Sequence, residues 1–219
     1  MPSFSNAPIP DLLRDARDLY TNARDDAEVF AILSAEPYLF TTADFDAGLA
    51  LVQAVTDAQS TEARESLESQ QATQAYGAAV QAVERAYAGH RAQGRKVFPR
   101  GTPEYGALGL GGDAPDDRED LLRDAGRFYD ALAASPDVVA AVRGYSDAVV
   151  ADAQALVRVA TQAGTAQTKE QGDLDRVGVA RKDAIRTLRK HAALTASDCA
   201  HALADHPQLR ERLGLLERS

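Results

Sequence analysis

The chain opens on an apolar pattern of helical period. Leu12, Leu13, Ala16, Leu19 and Tyr20 recur at i, i+4, i+8 spacing, which puts them on one face of an α-helix. Pro37 and the cluster Thr41-Thr42-Ala43-Asp44 break the pattern and offer a new N-cap. Beyond them Phe45, Leu49, Val52 and Val55, and later Val80, Val83 and Tyr87, continue helical stripes. Residues 58–74 between these stripes are markedly polar, and so are residues 163–176. We expect helical hairpin tips near residues 68–73 and 171–174, the second at Gln171-Gly172-Asp173. The first tip holds no Gly or Pro, so one continuous helix is the alternative there. Sustained β alternation and closely spaced hairpin turns are missing from the sequence.

The pattern occurs twice. Residues 11–20 read DLLRDARDLY and residues 120–129 read DLLRDAGRFY, with seven of ten letters shared at an offset of 109. Glu28-Val29-Phe30-Ala31 faces Asp137-Val138-Val139-Ala140 at the same offset. After about four residues of slippage the offset becomes 105, where ALVQAVTDAQSTEARE faces ALVRVATQAGTAQTKE. Ala79-Val80 then faces Ala184-Ile185, and Leu108-Gly109-Leu110 faces Leu213-Gly214-Leu215. An ordered series of matches from start to finish predicts a tandem repeat. Residues 99–117, with five Gly and three Pro, form the linker. The organisation expected is a first helical repeat at 1–98, a Gly/Pro-rich linker carrying an LGL segment at 99–117, and a second helical repeat at 118–219.

The endings of the two copies, TPEYGALGLGG and HPQLRERLGL, resemble those of uncharacterised bacterial helical-bundle proteins. Those proteins pair a polar, Ala-rich helical hairpin with a closing P…LGL segment. The resemblance covers about the last 60 residues of each copy. It implies an all-α bundle and carries no activity with it. The glycines at 101, 106, 111 and 112 depart from the pattern and predict a very short closing helix in the first copy.

Composition narrows the class. The chain has 219 residues, 45% of them hydrophobic, enough for a real core without disulfides or metals. Aromatics are only 6% and Trp is absent, so Ala, Leu and Val must build that core. A single cysteine, Cys199, points to a reducing, cytoplasmic setting. The opening MPSFSNAPIP shows neither a basic region nor an apolar run, so no secretory leader is expected. No apolar run approaches the roughly 20 residues of a membrane helix. The net charge is −9, with −7 in residues 1–115 and −2 in residues 116–219. Neither half is basic enough to expect a nucleic acid as partner.

Candidate chemistry is sparse. A di-iron bundle needs Glu-x-x-His pairs, and the sequence has none. Glu62, Glu65 and Glu68 have the period of one helix face, but their counterparts are Gln167, Glu170 and Asp173, so a solvated face is the better reading. Asp198, His201 and Asp205 fall at i, i+3, i+7 and form the one candidate metal group, set against a plain helix end. Cys199 beside His191 or His201 has the residue types of a nucleophilic pair. Its place in an apolar stripe with Ile185, Leu188 and Ala192 reads instead as core. Lys182, Arg186, Arg189 and Lys190 form a basic side of one helix, a candidate docking face for an acidic partner or a second subunit. The equivalent helix ends in Arg91, Arg95 and Lys96, where cations favour the helix dipole.

The sequence therefore predicts an all-α, internally duplicated antiparallel helical bundle. It is built either as tandem three-helix units or as paired hairpins in a pseudo-two-fold four-helix bundle. The function expected is a non-enzymatic structural or protein-interaction role, with a protein partner or self-association, no cofactor and no membrane. The alternative is a metal- or small-ligand-binding bundle, in the extreme an enzyme.

Overall fold

A computed structural model of the chain describes residue 4 and residues 6–215. Residues 1–3, 5 and 216–219 lie outside the description, and with them part of the amino-terminal stretch read for a leader. The described chain is all α. It forms α1 (Ile9–Asp25), α2 (Ala27–Leu33), α3 (Thr42–Val97), α4 (Pro103–Ala107), α5 (Arg118–Ala133), α6 (Pro136–Ala141), α7 (Asp147–Ala202) and α8 (Pro207–Arg212). Lengths of 17, 7, 56 and 5 residues are followed by 16, 6, 56 and 6, an order consistent with the repeat in the sequence. No helix among the described residues is long and apolar enough to cross a membrane.

The helix starts follow from local chemistry. Asp26 ends α1 and caps α2, its carboxylate accepting from the backbone N–H groups of Glu28 and Val29 at 3.1 and 3.2 Å. Asp117 does the same for α5, accepting from Glu119 and Asp120 at 2.9 and 3.0 Å. Before α3, the Asp44 carboxylate reaches back to the backbone N–H and hydroxyl of Thr41, both at 2.7 Å. The repeated Leu-Gly-Leu is a helix stop. Leu110 N–H bonds to the Tyr105 carbonyl at 3.1 Å and Leu215 N–H to the Arg210 carbonyl at 2.9 Å. Between the leucines, Gly109 and Gly214 have φ of 58° and 69°, a left-handed conformation that glycine adopts without strain. Both leucines of each segment are buried.

The expected hairpin tips are not there. α3 runs unbroken through residues 68–73, and α7 runs through Gln171, Gly172 and Asp173. One glycine in a helix interior costs only about 1 kcal/mol, which uninterrupted backbone bonding on both sides outweighs. Polarity there has a different cause. Ser69, buried on α3, faces Gln171 with its hydroxyl 3.5 Å from the amide oxygen, and Gln167 donates to Thr73 at 3.4 Å. The polar stretches are helix-to-helix contacts made by polar side chains. Each copy therefore has one long helix with short companions in place of three comparable helices.

Two compact units result, and they cut across the repeats. The first unit combines Met1–Glu65 with Leu174–Ser219, and the second is Ser66–Asp173. The first core gathers Leu12, Leu19 and Tyr20 of α1, Phe45, Val52 and Val55 of α3, and Leu188, Cys199 and Leu203 of α7. The second gathers Leu122, Phe128 and Tyr129 of α5, Val80, Val83 and Tyr87 of α3, and Val150 and Ala160 of α7. Each unit is thus built on one stretch of α3 and one of α7, joined by the Glu62–Arg181 ion pair in the first and, in the second, by Ser69–Gln171 and Thr73–Gln167, whose opposite order along the two helices makes that pair antiparallel.

Two substitutions test this arrangement by urea unfolding. Gly172→Ala should stabilise the protein by about 0.5–1 kcal/mol, because the site is exposed helix interior with open space around it. A hairpin turn would instead make it neutral or destabilising. Gly48→Ala places a Cβ 2.4 Å from the buried Tyr20 ring, so a loss of about 1–3 kcal/mol is expected.

Candidate functional site

Each unit buries one tyrosine against one histidine. Tyr20 and Tyr129 are the last letters of the two related decapeptides, and both are buried. The Tyr20 hydroxyl lies 2.7 Å from His191 Nδ1 in the first unit. The Tyr129 hydroxyl lies 3.0 Å from His90 Nδ1 in the second. Tyr145 adds a third member there, its hydroxyl donating to the His90 carbonyl at 2.5 Å. Burial pushes the Tyr20 and Tyr129 hydroxyls well above the ordinary phenol range. It also lowers His90 below its ordinary value of 6.5. Both tyrosines therefore stay protonated at physiological pH, and neither is poised as a nucleophile. The pairs satisfy polar atoms that would otherwise each cost about 1–3 kcal/mol to bury.

A second cluster closes the first copy. Arg91 is buried on α3, 5.3 Å above the Tyr87 ring centroid. Its Nη2 donates to the carbonyls of Gly109, Gly111 and Gly112 at 3.2, 2.6 and 3.3 Å. Arg95 adds Nε to the Leu110 carbonyl at 2.8 Å and Nη2 to the Gly112 carbonyl. This glycine-rich loop turns carbonyls toward arginines and holds down the end of α4. Arg91 and Arg95 act here as tethers.

The residues singled out in the sequence are placed as follows. Cys199 is fully buried, and burial, with Asp198 adding to it, pushes its thiol up to about 12, so it belongs to the core. Asp198, His201 and Asp205 are exposed. α7 ends at Ala202, so Asp205 does not continue the helix face on which the i, i+3, i+7 spacing relied. His201 Nδ1 is engaged with the Ser197 carbonyl at 2.8 Å. Of the acidic run, Glu62 pairs with Arg181 and Glu65 with Arg64 at 2.9 Å. The basic side of α7 divides. Lys182, Arg186 and Lys190 are exposed, whereas Arg189 is half-buried and donates to the Ala7 carbonyl at 2.9 Å, tying down the amino-terminal segment. Arg186 pairs with Asp183 at 2.9 Å.

Sequence reasoning placed Tyr20 and Tyr129 in the core but missed their partners. A signal existed: each long helix carries a histidine in its last third, His90 in α3 and His191, followed by His201, in α7. His90 and His191 are 101 residues apart, off the 105-residue register, and that hid the correspondence. Comparison with known protein families, with curated proteins and with solved structures finds no match for the chain.

The His90 pair generates a pH prediction. Below about pH 6.5 the unfolded chain takes up a proton at this position while the folded protein resists it. Stability is full above that pH and declines as pH falls toward the lowered folded value. Urea unfolding at pH 7.5 and 5.5 should show this decline, and His90→Gln should reduce it while lowering stability at both pH values.

Proposed function

We propose that the protein is a non-enzymatic helical interaction protein that docks an acidic partner along α7. One observation carries the reading. Val179, Lys182, Arg186, Lys190 and Leu194 succeed one another at helical spacings of three, four, four and four, and all are exposed. Val179 and Leu194 are 57% and 58% exposed, so the three cations are bracketed by two large apolar side chains held in water. Single exposed apolar residues are ordinary on protein surfaces. Two that flank a row of cations on one stripe have the make-up of a docking surface, apolar contact for affinity and charge for register. Lys182 and Lys190 have no ion pair among the described residues, so their charge is available to a partner.

The reading is also supported by the fate of the groups that most resemble nucleophiles. Cys199, Tyr20 and Tyr129 are buried and protonated at neutral pH. The lone cysteine fits a cytoplasmic setting. An acidic amphipathic helix is the partner the stripe suits best. A second copy of this chain, with its net charge of −9, is the other occupant of matching sign.

The test combines light scattering after size exclusion with pull-down from the protein's own cells. Wild-type protein should self-associate or capture a partner, and the complex should weaken as salt rises. The triple variant Lys182→Glu, Arg186→Glu, Lys190→Glu should keep its fold and lose that complex. A strict monomer that captures nothing the triple variant fails to capture would sink the proposal.

A further inference from the structure

The second unit contains an open cleft of about 470 Å³ between the start of α5, the α7 stretch 160–168 and Tyr76 of α3. Its floor is apolar. Leu122 and Ala160 are buried, and Gly164 presents bare backbone to the Tyr76 ring. Under the 105-residue register Ala160 and Gly164 stand where the first copy has Val55 and Gln59. Tyr76 in turn corresponds to Arg181, which in the first unit is taken up by its ion pair with Glu62. The place that an ion pair fills in one unit is left open in the other.

Most of the rim offers acceptors. Thr161, Thr165 and Thr168 donate their hydroxyl protons to the carbonyls of Val157, Thr161 and Gly164 at 3.0, 3.2 and 3.1 Å. Only their oxygen lone pairs are left for a guest. Gln167 spends one of its two amide protons on Thr73 and keeps its carbonyl oxygen beside the second N–H. Glu119 brings a carboxylate with no ion pair among the described residues. The one cationic donor in the lining, Arg123, is held by Asp120 at 2.6 Å. The Tyr76 ring already receives one cation, the Arg118 guanidinium, 5.7 Å from its centroid.

Such a cleft selects for donors and positive charge above an apolar body. We propose that it binds a small organic ammonium compound, its ring or alkyl body on Leu122, Gly164 and Tyr76 and its ammonium toward Glu119 and the threonine oxygens. The volume falls within the roughly 300–1,000 Å³ of small-molecule sites.

The probe is 2-phenylethylammonium, titrated into the full-length ¹⁵N-labelled protein and followed by amide shifts and calorimetry. Saturable shifts confined to residues near 76, 119–123 and 160–168 are expected. The carboxylate of the same ring and chain, 3-phenylpropionate, should bind at least about tenfold more weakly, a difference of about 1.4 kcal/mol. Glu119→Gln, a change at an exposed side chain, should weaken the ammonium by a similar factor. Gly164→Gln supplies the first copy's residue and should abolish binding, with circular dichroism confirming an intact fold. The inference is overturned if the probe produces no saturable shift, if the carboxylate binds as well, or if Glu119→Gln binds like wild type.

Discussion

The structure depends on one constraint: a 56-residue helix must bury apolar side chains at both ends while its middle is polar. Phe45, Val52 and Val55 need one core, and Val80, Val83 and Tyr87 need another. The same holds for α7, with Val150 and Ala160 at one end and Leu188, Cys199 and Leu203 at the other. Neither long helix presents one continuous apolar stripe, so neither can be satisfied by a single bundle along its length. The short, strongly amphipathic helices α1 and α5 supply the missing faces, one to each unit. Fully burying a Leu, Val or Phe side chain contributes about 1.5–3 kcal/mol, and each core gathers many of them.

Polar groups inside these cores follow from the same constraint. Ala, Leu and Val leave few large side chains to fill the space over each helix pair, and Tyr20 and Tyr129 fill it. Their hydroxyls then need partners, which His191 and His90 provide. Arg91 answers a similar need, meeting loop carbonyls that the glycines bring close. The exposed pairs Asp11–Arg14 and Asp120–Arg123, at 3.1 and 2.6 Å, recur in both copies, but solvent and salt screen such pairs and leave them little weight in stability. Packing and buried polar satisfaction therefore carry the fold.

Much of this was legible along the chain. The helix stripes, the stop and N-cap at residues 37–44, the acidic helix starts and the brevity of α4 all rest on interactions within a few residues. The repeated Leu-Gly-Leu was visible as a motif, and its meaning as a helix stop came from the positive φ of its glycine. The exposed basic stripe of α7 was visible in part. Arg189 belonged to it by spacing and left it because its guanidinium turns inward to the Ala7 carbonyl. The cleft was not legible, because an unfilled volume is a property of three helices and of the partners each rim group has chosen.

The sequence by itself determined the all-α class, the break and N-cap before α3, and which face of α1 and α5 is apolar, since periodicity, capping and turn chemistry are local. Only the tertiary structure decided that the polar stretches of α3 and α7 are helix interior. It also decided that each unit takes one half of each long helix, and that the buried tyrosines answer histidines off the repeat register. Those outcomes depend on contacts between residues about 40 to 170 positions apart. A helix pattern states which face seeks burial, but it does not state what will cover it.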